Sequence, residues 1–126
     1  MTMTASQVIV AMRELLSSPE NWSKRAYARD HRGEECDSLD PNAKSYCLAG
    51  ARSAVLQHVP IGAGVRREVH KAIQDALAIV DDKRRFSAQY NDADETTHDD
   101  ILTLLNVAEV CASQKYVNVS HRLHTH

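Results

Sequence analysis

The stretch from Val65 to Val80 constrains the fold of this chain most. Val65, Val69, Ala72, Ile73, Ala76, Leu77 and Val80 recur at helical spacing, so a helix gathers them on one stripe whereas a strand would scatter them over both faces. A stripe of that width has to be covered by other parts of the chain. The opposite face, with Arg66, Arg67, Lys71 and Gln74, is polar and suits water. Val59-Pro60-Ile61-Gly62-Ala63-Gly64 reads as the turn before the helix, and Asp81-Asp82 marks its end.

Three further helices are expected. Thr4-Ala5-Ser6-Gln7 has the form of a capping box and leads into Val8, Ile9, Met12, Leu15 and Leu16, with Pro19 closing the segment. Asp40-Pro41 predicts a helix start, with Asp as cap and Pro in the first turn, and a helix running to about His58. Its regular stripe would be Ala43, Cys47, Gly50, Ala51 and Ala54, all small. Thr97-His98-Asp99-Asp100 predicts the last start, with carboxylates in the positive first turn and Ile101, Leu104, Leu105, Ala108, Cys111 and Ala112 as the apolar face. The expected architecture is all-α, a compact bundle of about four helices forming one domain over residues 1–116, with a flexible tail over 117–126. Two long connections, about Glu20 to Asp40 and Asp82 to Thr96, are expected to be pinned by their aromatics: Trp22 and Tyr27 in the first, Phe86 and Tyr90 in the second.

With 126 residues, 43% of them hydrophobic, the chain is long and apolar enough for a core that needs no disulfide or metal. Cys36, Cys47 and Cys111 are odd in number and widely spaced, a pattern of free thiols in a reducing compartment. The opening Met1-Thr2-Met3-Thr4 lacks a basic, then apolar, leader, and no apolar run reaches the length of a membrane span. A cytoplasmic protein with no membrane role is the expectation. The net charge of −2 provides no overall basic field, so nucleic acid is not an expected partner. Arg66-Arg67 with Lys71, and Lys83-Arg84-Arg85, read as solvated helix surface.

The sharpest catalytic candidate is Cys47 with His98, a thiol and imidazole that Asn91 or Asp92 would orient for hydrolysis or acyl transfer. Against it, the expected helix places Cys47 about two turns from the N-terminus, beyond much help from the dipole, among small packing residues. Asp92-x-Asp94-x-Thr96 opens like a calcium loop, yet Thr97 stands in place of the turn glycine and Thr103 in place of the bidentate glutamate. A weak divalent site on Asp92, Asp94 and Asp99 competes with a simple solvated acidic loop, which is the preferred reading. Terminal His121, His124 and His126 would catch metal only adventitiously. No metal and no cofactor are assigned. The candidate binding residues are Trp22, Asp30, Asn91 and Asp92, held on the two long connections.

Trp22, Ala28-Arg29-Asp30 before Gly33, Tyr46-Cys47-Leu48-Ala49-Gly50-Ala51, Tyr90-Asn91-Asp92 and Thr97-His98-Asp99-Asp100-Ile101-Leu102 together resemble an uncharacterised family, a small domain of unknown function found in actinobacterial and other bacterial genomes and in their phages. The resemblance spans about Val8 to Ala112. It implies a bacterial or phage origin and a single domain, and brings no established activity or catalytic residue. The functional expectation is a small regulatory or interaction protein, such as a phage-encoded modulator of a host system, that contacts an unidentified protein partner. The alternative is the Cys47/His98 hydrolase or acyl transferase.

Overall fold

A computed structural model describes the backbone of residues 2–124 and the side chains of residues 2–113. Helix α1 (Ala5–Leu15) starts as its sequence predicts: Thr4 Oγ1 accepts from Gln7 N–H and Gln7 Oε1 accepts from Thr4 N–H. Val8, Ile9, Met12 and the C-capping Leu16 are completely buried.

The chain is mostly helical but not all-α. A small antiparallel sheet of β1 (Ala28–Arg29), β2 (Glu35–Cys36) and β3 (Ser45–Tyr46) occupies the first connection and the start of the expected second helix. The strand order is β2-β1-β3, with Ala28 opposite both Cys36 and Tyr46. Asp40 caps a turn instead of a helix: its Oδ1 accepts from Asn42 N–H and its carbonyl from Ala43 N–H. Asp-Pro serves turns as readily as helix starts, and here Lys44 N–H then donates to the Arg29 carbonyl, drawing the chain into β3. Helix α2 (Leu48–His58) begins only after Cys47, which is its N-cap. The proposed small-residue stripe therefore loses Ala43, and Cys47 sits at the helix start, not two turns inside.

Helix α3 (Val65–Val80) follows Gly64, whose φ of +81° supplies the left-handed turn. Its buried residues are Val65, Val69, Ala72, Ile73, Ala76 and Leu77, six of the seven in the predicted stripe, with Val80 at its end only partly buried. A short helix, α4 (Ser87–Asp92), lies within the second connection, and α5 (His98–His124) follows. Thr97 and Asp100 cap α5 reciprocally, Thr97 Oγ1 accepting from Asp100 N–H and Asp100 Oδ2 from Thr97 N–H. Helix α5 packs along α3 and α1, and α1 also meets α2 and α3. Ile101, Leu104, Leu105 and Ala108 are completely buried in that contact.

Helix α5 includes residues 117–124. The side chains of His121, His124 and His126 lie outside the described residues. Of the four expected anchors, Trp22 is half-buried and Tyr90 buried, but Tyr27 is 66% exposed and Phe86 59% exposed. Each connection is thus pinned by one ring of its pair and displays the other. No helix among the described residues is long and apolar enough to cross a membrane.

Candidate functional site

Asn91, only 1% exposed, joins the two connections. Its Oδ1 accepts from the Trp22 indole Nε1–H at 2.8 Å and from Leu48 N–H at 3.1 Å, while Nδ2 donates to the Ser23 carbonyl at 3.0 Å and to Asp92 Oδ1 at 2.9 Å. A buried amide is costly unless its donors and acceptor are matched. Here both ends are matched, and α4, the start of α2 and the first connection are tied through a single side chain.

Neighbouring contacts continue the seam. Asp92 Oδ1 also accepts from Arg25 N–H at 2.9 Å, which fixes Arg25 at a φ of +63°. Non-glycine residues seldom adopt that conformation without support from their surroundings. Arg25 Nη2 pairs with Asp94 Oδ1 at 2.8 Å, and Lys24 Nζ donates to the Ala93 carbonyl while lying 5.3 Å from the centre of the Trp22 ring. Asp30 stabilises the β1–β2 loop, its Oδ1 accepting from the N–H groups of Arg32 and Glu34. The Arg32 N–H, opposed by partial desolvation and joined by that of Glu34, holds its carboxyl below the usual carboxylate range.

Beside this seam, Arg25, Tyr27, Glu35, Cys36, Cys47 and Asp92 border a cleft of about 540 Å³. Tyr27 is fixed at its lip by backbone contacts. Its carbonyl accepts from Cys47 N–H at 3.2 Å and faces Gly50 so closely that a Cβ there would stand 1.8 Å from the oxygen. Gly50 thus admits a loop backbone against α2, a closer and more specific demand than helix-to-helix packing.

Cys47 Sγ accepts from Gly50 N–H at 3.3 Å as the cap of α2. Burial pushes its thiol up, against the Gly50 and Ala49 N–H groups and with help from the Asp92 carboxylate. His98 Nε2 donates to the Leu16 carbonyl at 2.6 Å, closing the end of α1, and its ring lies 6.3 Å from that of Trp22. Cys47 and His98 therefore have separate partners, with no hydrogen bond between them among the described residues. Asp94 is committed to Arg25, and no group of three potential metal ligands occurs among the described residues. Of the predicted residues, the fold brings together Trp22, Asn91 and Asp92, adds Cys47 at the cleft and keeps Asp30 in its own loop. Sequence reasoning did not single out Lys24, Arg25 or Glu35, whose surroundings are created by contacts between distant segments.

The model of a family of unknown function, DUF6197, matches residues 1–110, and the chain belongs to that family. No curated protein and no solved structure matches it.

Proposed function

Within this family of unknown function, we propose that the protein is a small regulatory or interaction protein of a bacterium or phage that engages a protein partner through the face around Tyr27. The observation that carries the reading is an exposed tyrosine on a fixed backbone: Tyr27 is 66% exposed, yet its carbonyl is held by Cys47 N–H. Tyrosine and arginine are enriched among the residues that dominate protein interfaces. A loop already ordered in the free protein avoids much of the entropy loss that ordering on contact would bring. The Asn91 seam orders this one, and the adjoining cleft offers a recess for a partner side chain.

The alternative, a hydrolase or acyl transferase built on Cys47 and His98, has less behind it. An activated thiolate needs a lowered pKa and an adjacent base, whereas the Cys47 thiol is pushed up and shares no hydrogen bond with His98 among the described residues.

Selection of a random-peptide display library on the immobilised protein tests the docking reading. Wild type should enrich a peptide family whose affinity falls at least ~10-fold with Tyr27→Ala, the loss expected of one interface hot spot. Thermal melting of the variant should be nearly unchanged, since the ring is exposed. Failure to enrich any peptide, or equal binding by Tyr27→Ala, would overturn the proposal.

A further inference from the structure

The charges around the cleft identify what kind of side chain it suits. Three charged residues border it: Arg25, Glu35 and Asp92. The Arg25 guanidinium is already paired with Asp94 at 2.8 Å. Asp92 uses Oδ1 for Arg25 N–H and Asn91 Nδ2, and its Oδ2 makes no hydrogen bond among the described residues. Glu35 is exposed and has no side-chain partner among the described residues. Arg25 is drawn towards Asp94 on the surface, and the two carboxylates outnumber it at the cleft.

We infer that the cleft receives the cationic end of a lysine or arginine side chain from the partner, between Asp92 and Glu35 and beside Tyr27; the inference rests on the docking reading above. Ala26, Ala49 and Ala88 give the walls an apolar surface suited to the methylene stem. The exposed Tyr27 ring adds an attractive face for an ammonium or guanidinium group. At the cleft itself, the Asp92 carboxylate adds to the rise of the Cys47 thiol, which desolvation chiefly causes. A bare metal ion fits less well, because no three ligating groups converge among the described residues.

The test is an amide-resolved NMR titration of the full chain with N-acetyl-arginine amide and N-acetyl-lysine amide. N-acetyl-norleucine amide serves as the uncharged control and N-acetyl-glutamate amide as the acidic one. The cationic probes should give saturable shifts at Arg25, Tyr27, Cys36 and Ala49, with a Kd on the order of 1 mM, weakening as salt is added. Glu35→Gln should weaken binding by roughly 2–5-fold, as expected for an exposed charge pair. Asp92→Asn should weaken it at least as much while leaving the Arg25 and Asn91 bonds intact, because an amide oxygen still accepts both. Equal shifts from the norleucine or glutamate probe, no saturable shift from the cations, or unchanged binding by both variants would overturn the inference. Peptides that require Tyr27 but carry no selected cation would leave the docking face standing and remove only its cation specificity. Cation binding without any enriched peptide would support the cleft and remove the protein-docking role.

Discussion

Asn91→Ala should be the most damaging single truncation at the seam. It removes the acceptor for the Trp22 indole and Leu48 N–H and the donor to the Ser23 carbonyl, at a position 1% exposed. A buried polar group left without a partner costs about 1–3 kcal/mol. Water can reach the half-buried indole more easily than the other two groups, so the total is about 3–5 kcal/mol. Domains of this kind are stable by only roughly 5–15 kcal/mol, and the loss corresponds to a Tm decrease of about 10–20 °C. Urea unfolding can be followed at the site itself, because Trp22 is the only tryptophan in the chain. Asn91→Asp separates hydrogen bonding from volume: it retains an accepting oxygen but sets a second one against the Ser23 carbonyl and Asp92. Burial and the Asp92 charge raise the new carboxyl above its unfolded pKa, so its stabilising protonated form is retained below the unfolded value and lost as pH rises through the folded one. This variant should therefore melt higher near pH ~4 than near pH ~7, relative to wild type at each pH. An Asn91→Ala loss below ~1 kcal/mol, with unchanged Trp22 emission, would refute the account of the seam.

Gly50→Ala should destabilise by more than ~2 kcal/mol and speed amide exchange around Tyr27, because the added Cβ would meet the Tyr27 carbonyl oxygen at 1.8 Å; an unchanged melt would show that no such close approach exists. Thiol labelling should be slow at neutral pH and keep rising into the alkaline range for both Cys36 and Cys47, whose thiols are raised chiefly by desolvation. Rapid labelling of Cys47 that levels off near neutral pH and disappears with His98→Ala would restore the catalytic pair.

How much of this was legible depended on how far each signal reaches along the chain. The stripe of α3 and the caps of α1 and α5 act within a few residues, and each reads directly from the sequence. The sheet could not be read that way. Strands of two residues are too short to show alternation, and the Asp40-Pro41 signal is common to turns and helix starts. Cys47 changed meaning with that boundary: moving the helix start to Leu48 turned it from an interior packing residue into a cap.

The aromatic anchors show the remaining gap in physical terms. Trp22 and Tyr27 lie in the same connection, and ring area alone argues for burying both. What separates them is the partner each polar group finds. The Trp22 indole N–H reaches Asn91, 69 residues away, whereas Tyr27 is held through its backbone, with its side chain left outward. Once the Tyr27 carbonyl is bound by Cys47 N–H and pressed against Gly50, the loop has no need of its ring to stay in place. The ring is then available for contact with another molecule, and the same glycine that fixes the loop makes that display rigid. Sequence reasoning could identify Trp22, Asn91 and Asp92 as candidates, but their shared role arises only when the second connection closes over the first. The surface the loop displays is consequently set by which side chains the seam uses and which it leaves exposed.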